Sequence, residues 1–211
     1  MEVRTFAELS TMIYFSINAE KYMNADEAEF KLFDLDTELC YLRVGDTVVF
    51  VFKGSCTMTD WLYNLQFWKC PFAYGDFHIH QGMNSKIKVT YDYIKSKLKP
   101  NDKVYLTGHS LGGALSLLTA YALRTELETD IAGVHVFGAP RVGGGPWKDA
   151  YNNLLYDKTF SYQNEGDFVP SLPPRLFGYT NVGQHVKLYG KKKVSPSSVV
   201  HLPWFYVVNL R

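Results

Sequence analysis

The sequence predicts an α/β fold, a mostly parallel central sheet flanked by helices. Three observations predict it. β-rich runs and helix-period runs alternate along the chain. The strand Lys103–Thr107 runs into the helix beginning at Leu111 with only three residues between them. The composition, 46% hydrophobic and 20% charged over 211 residues, suits a single packed core rather than disorder or two full domains.

Each element has a local reason. At the N-terminus Thr5 and Glu8 have capping-box spacing, and Phe6, Leu9 and Ile13 follow at helical spacing. Leu39–Val44 and Val48–Phe52 are β-rich runs around Gly45-Asp46, the pattern of a hairpin. Met83, Ile87, Tyr91, Ile94 and Leu98 mark one face of a long helix that stops near Pro100. Lys103–Thr107 predicts a strand and Leu111–Leu127 a helix. Ile131–Phe137 predicts a buried strand, Trp147–Leu155 a short helix, and Thr159–Gln163 and Val186–Tyr189 later strands. From His201 the chain is apolar.

Composition excludes several functions. Lys+Arg 22 against Asp+Glu 21 leaves a net charge of +1, no electrostatic footprint for nucleic acid. The histidines and cysteines lack metal-ligand spacing, and no phosphate-cradling GxxxxGK loop occurs, so no metal or other cofactor is expected. Three cysteines, Cys40, Cys56 and Cys70, argue for thiols over a disulfide scaffold, with Cys56–Cys70 the one pair able to close a short loop. The stretch Leu111–Leu123 is too short to span a bilayer. The first residues lack the apolar core of a signal peptide, so a cytoplasmic setting is expected, with release by another route as the alternative.

The chemistry centres on Gly108-His109-Ser110-Leu111-Gly112. A G-x-S-x-G run between a strand and a helix forces a sharp turn that lifts the serine hydroxyl above the sheet edge. The glycines keep side chains out of the neighbouring strand and helix. The helix N-terminus behind Ser110 offers N–H groups to a developing oxyanion.

Such a nucleophile needs a base and an acid, in the order Ser, acid, His. His135, His185 and His201 follow Ser110. His135 falls inside a strand and is expected to be a sheet histidine. His185 opens a strand. His201 lies beyond the last strand, where it can reach back over the carboxyl edge of the sheet, and is preferred. Of the acids, Glu126, Glu128 and Asp130 fall at a helix end, and Asp149 and Asp157 flank a short helix. Asp167 follows the strand Thr159–Gln163, with Glu165 as its competitor. Asp167 would orient His201, and His201 would serve Ser110 as base and then the leaving alkoxide as acid.

With these residues in this order, the chain resembles the fungal-type triacylglycerol lipases, the class 3 lipase family of α/β-hydrolases. The resemblance runs in order from about Phe50 to Tyr206. It covers Val48–Ser55, Asp60–Leu65, His80–Met83, Gly108–Leu115, Phe137–Gly143, Asp167–Pro174, Phe177–Tyr179 and His201. Lys53 stands where the family often has Arg, and Met83 where Phe is usual. The resemblance implies one α/β-hydrolase domain over residues 1–211, with Ser110, Asp167 and His201 as the triad. It also implies an oxyanion hole from Ser55 and the N–H of Leu111.

Met58, Trp61, Leu62, Leu65 and Trp68 fall at helical spacing, predicting an amphipathic helix within residues 57–69. The resemblance places a mobile lid there, with Trp61, Leu62, Leu65 and Trp68 toward substrate; a fixed surface helix is the alternative. Phe72, Tyr74, Phe77, Phe177 and Tyr179 are candidates for an acyl groove or for core, and Lys191-Lys192-Lys193 for a solvated turn. The implied activity is hydrolysis of acylglycerol or related lipid esters by a monomer that meets lipid surfaces transiently. Phospholipase A1, feruloyl-type esterase or acyltransferase chemistry are alternatives on the same acyl-enzyme. A silent lipid- or partner-binding module is the alternative of another class.

Overall fold

The computed structural model describes residues 1–15, 19–54, 68–190 and 200–210, apart from the side chains of Phe15 and Glu20. Its frame is a sheet of seven strands among these residues: β1 (Glu27–Phe33), β2 (Thr37–Val44), β3 (Thr47–Phe52), β6 (Lys103–His109), β7 (Ile131–Phe137), β8 (Thr159–Asn164) and β9 (Gln184–Leu188), side by side in that order. β1, β2 and β3 pair antiparallel; β3, β6, β7, β8 and β9 run parallel. The short strands β4 (Lys69–Pro71) and β5 (His78–His80) form a separate antiparallel pair.

Helices cover both faces, as a parallel sheet requires. α3 (Gln81–Lys97), α4 (Leu111–Glu126) and α5 (Gly145–Leu155) lie on one face. There Trp147 and Tyr151, both wholly buried, pack with Tyr121, Phe72 and Phe77. α1 (Val3–Met12) and α6 (Pro203–Asn209) lie on the other face, where Phe6, Leu9 and Tyr206 meet Phe137 and Tyr162; the short α2 (Ala19–Met23) packs at the β1–β2 end. Strand alternation feeds both cores: Leu39 and Tyr41 of β2 face the first, Cys40 and Leu42 the second. Burying each large side chain is worth about 1.5–3 kcal/mol.

The predicted hairpin, long helix and strands are in place, with ends shifted by one or two residues. The capping box is not. α1 starts at Val3, its N-cap Glu2 makes no side-chain cap, and Glu8 instead bonds Arg4 at 2.8 Å and the Tyr22 hydroxyl. Arg4 and the Tyr22 hydroxyl take up the carboxylate that the cap needed. β1 has no clean alternation, being an edge strand with one covered neighbour, and the apolar tail folds as α6 with Pro203 in its first turn. Cys70 is a thiol that accepts a bond from Asn84 Nδ2 at 3.1 Å. Cys56 lies outside the described residues.

Candidate active site

β6 ends at His109 and α4 begins at Leu111, so Ser110 alone makes the turn. Its backbone sits at φ 55° and ψ −127°, a conformation that a residue with a side chain occupies only when its surroundings force it. Two glycines permit the surroundings. A Cβ on Gly112 would lie under 3.0 Å from the Phe52 carbonyl, and one on Gly108 would strike the Gly112 backbone. The Ser110 N–H donates to the Phe137 carbonyl at 2.9 Å, which ties the turn to the end of β7. Leu111, as the first residue of α4, has no carbonyl a turn back within the helix to receive its N–H.

Asp167 and His201 meet at the same sheet edge from distant stretches of chain. Asp167 leaves β8 through a turn in which its N–H donates to the Asn164 carbonyl at 3.0 Å. Its carboxylate receives three donors. His201 Nδ1 lies 2.7 Å and the Tyr206 hydroxyl 2.5 Å from Oδ2, and the Val169 N–H reaches Oδ1 at 2.9 Å. A carboxylate accepts, so His201 carries a proton on Nδ1, and in the neutral ring Nε2 is the lone pair. That Nε2 is buried and has no hydrogen-bond partner among the described residues.

His109 joins the two halves. Its Nε2 is 2.5 Å from the His201 carbonyl, and its Nδ1 is 3.0 Å from the Tyr14 hydroxyl. A carbonyl demands a donor, so Nε2 bears the proton and Nδ1 accepts from Tyr14. Burial, then the neighbouring His201, hold the His109 ring well below the ordinary histidine range, so it is a neutral strut. The rings of His109 and His201 lie with centroids 4.5 Å apart, tilted by 42°. Gly138, at φ 62°, closes the floor: a Cβ there would stand 2.9 Å from His201 Cε1 and 3.0 Å from Asp167 Oδ2.

Asp167 and His201 are thus joined directly, and His109, the residue before Ser110, ties His201 to the serine turn; Ser110, Leu111, Asp167 and His201 are each at most 5% exposed. Glu165, the competing acid, is exposed. His185 is on β9 opposite Ser161 and is no part of this network; His135 stacks between Phe6 and Phe160, as a sheet histidine. Ser55, Trp61, Leu62 and Leu65 lie outside the described residues, as does Lys191-Lys192-Lys193. Trp68 is 70% exposed immediately before β4, and Lys69, the last residue of the expected lid segment, already belongs to that strand. Of the groove candidates, Phe72, Phe77 and Tyr179 are core residues. Tyr206 and Tyr14 were not legible as site residues. Tyr206 follows His201 by five positions within an apolar tail, and only the docking of α6 turns its hydroxyl to Asp167.

Among the described residues no group of three or more potential ligands could hold a metal ion, and no helix is long and apolar enough to cross a membrane. Residues 49–177 match the model of the lipase (class 3) family. A lipase of Rhizomucor miehei is 32% identical over 155 residues, 65% of this chain and 40% of that protein. A secreted mono- and diacylglycerol lipase of Malassezia globosa is 34% identical over 96 residues, 45% of this chain and 32% of that protein. The chain therefore spans less than half the length of these curated relatives. Lipase II from Rhizopus niveus superposes with a TM-score of 0.78 at 23% identity, over 90% of this chain and 80% of that one, so the architecture is the α/β-hydrolase fold of such lipases.

Proposed function

The chain belongs to the class 3 lipase family, and from that premise we propose that it is a serine carboxyl-ester hydrolase acting on acylglycerols or related lipid esters. One observation carries this reading: Asp167 holds the buried His201 ring, whose Nε2 has no partner among the described residues, and His109 ties that ring to a serine on a strained turn. A silent binding module has no use for that combination.

In this reading Ser110 Oγ attacks the ester carbonyl carbon as its proton passes to His201 Nε2. The oxyanion is received by the Leu111 N–H and by Ser55. Collapse expels the alcohol, which takes the proton from His201, and leaves the acyl group on Ser110. Water then attacks that carbonyl while His201 takes one of its protons, and the second collapse returns the proton to Ser110 and releases the fatty acid. Asp167 holds the ring in the required tautomer throughout. One domain spans residues 1–211, acts as a monomer and contacts lipid surfaces through residues 57–69. The Malassezia globosa relative is described as secreted, and secretion is the setting this reading takes from it in place of the cytoplasm.

The test is hydrolysis of nitrophenyl esters from acetyl to palmitoyl, below and above substrate solubility, with Ser110→Ala as control. A rate that rises with chain length and at the interface, and falls by about a million-fold in kcat in the variant, is expected. Equal rates in the two proteins would overturn the assignment.

A further inference from the structure

The far edge of the sheet carries a cavity of about 460 Å³ that the chemistry above does not use. Arg141, Lys148, Arg175, His185 and Lys187 line it, and no aspartate or glutamate does. They converge from four places: the loop after β7, helix α5, the turn Arg175–Phe177 and strand β9. In β9 the residues 185 and 187 are two apart, so both side chains fall on one face of the strand.

Elsewhere in the molecule several lysines meet a carboxylate. Lys53, Lys97, Lys99 and Lys103 each lie within 2.9 Å of a carboxylate oxygen. Among the described residues Lys148, Arg175 and Lys187 take part in no ion pair. Arg141 is more telling, because it is only 8% exposed. Its Nε donates to Asn181 Oδ1 at 2.8 Å and its Nη1 to the carbonyls of Ser171 and Pro173 at 2.6 and 2.9 Å, all neutral oxygens. Buried charges are normally paired with an opposite charge. The crowding registers on its members: burial and then Arg175 lower the Arg141 guanidinium, and burial and then Arg141, Arg175 and Lys148 lower the His185 ring.

We propose that this cavity binds a phosphate-bearing anion. Arginine forks and lysine point charges are the donors such a group takes, and cavities of this size hold a small molecule rather than a bare ion. Leu176 stands next to Arg175 in the chain and is 90% exposed, so an apolar side chain projects beside the cationic mouth. That arrangement suits a phosphate displayed at a lipid surface; a soluble phosphate monoester shares the chemistry. The inference holds whichever ester Ser110 cleaves, and its test reads binding, not hydrolysis.

The experiment titrates inorganic phosphate into the full chain, against chloride at equal ionic strength, while the His185 ring is followed by NMR. A saturable shift with a rise in the His185 pKa is expected, since a bound anion favours the imidazolium. The double variant Lys148→Glu/Arg175→Glu, at two exposed positions, should weaken binding at least about tenfold. Lys158→Glu, an exposed lysine outside the cavity, should not. Phosphatidylcholine vesicles with and without phosphatidic acid separate the sources. A preference for phosphatidic acid that the double variant abolishes assigns the lipid headgroup; phosphate binding without that preference assigns a soluble phosphate. No His185 response to phosphate together with no variant-sensitive vesicle preference would overturn the proposal.

Discussion

The two halves of the candidate site are built in opposite ways. The nucleophile half is one continuous stretch, Gly108–Gly112, whose geometry follows from a strand meeting a helix with no loop. The acid–base half joins Asp167 to His201 and Tyr206, 34 and 39 residues away in sequence, through hydrogen bonds of 2.7 and 2.5 Å. The first is a local steric solution and stands or falls with two glycines. The second is a tertiary assembly that depends on where α6 docks.

Four substitutions would break or sharpen this contrast. The largest effect is expected in the tertiary half. Asp167→Asn would offer His201 Nδ1 an amide that can select the wrong tautomer, and kcat should fall by about ten-thousand-fold with the melting temperature little changed. Steady-state kinetics beside a melting curve check it. In the local half the cost should appear as stability. Gly112→Ala puts a methyl against the Phe52 carbonyl, and a loss of about 3 kcal/mol is expected in denaturant unfolding.

Tyr206→Phe is subtler. It removes one of three donors to Asp167 and leaves the ring in place. A charge-assisted bond is worth about 1.5–3 kcal/mol, so kcat should fall ten- to hundred-fold with KM unchanged. A change in KM alone would show that the hydroxyl serves substrate binding and not the triad.

The smallest effect concerns pH. Burial lowers His135 from 6.5 to about 4 in the folded chain, and His80 likewise to about 4. The unfolded chain therefore takes up protons near pH 6.5 that the folded chain refuses until about pH 4. Stability is full above pH 6.5, declines as pH falls through that window and levels off below it. His135→Phe removes one such group, and the decline should be shallower by about 1–2 kcal/mol after allowance for partial solvent screening. Melting temperatures between pH 7 and 4 (ordinary buffers suffice) measure it.

Legibility followed the same division. Ile131–Phe137 was readable to the residue because a buried β run has a sharp pattern at both ends. The Gly45-Asp46 hairpin was readable because its turn chemistry is local. The Thr5–Glu8 cap misled because Arg4 and Tyr22 compete for Glu8, and Tyr22 arrives only with tertiary structure. His185 looked like a runner-up base in the sequence; paired opposite Ser161 it belongs to a cationic cavity instead.

By itself the sequence determined the α/β class, the strands and helices from β2 to β9 apart from the β4–β5 pair, and the serine on its turn, and it pointed to Asp167 and His201 as partners. Those depend on periodicity, on steric exclusion at glycines and on which loops leave the carboxyl ends of strands, all of which are short-range. Only the tertiary structure decided that His109 is a neutral strut, that Tyr206 reaches Asp167, and that four cationic side chains and a histidine line one cavity without an acid. A hydrogen bond's partner and a charge's neighbour are set by how separate elements dock. Spacing along the chain carries no record of that distance.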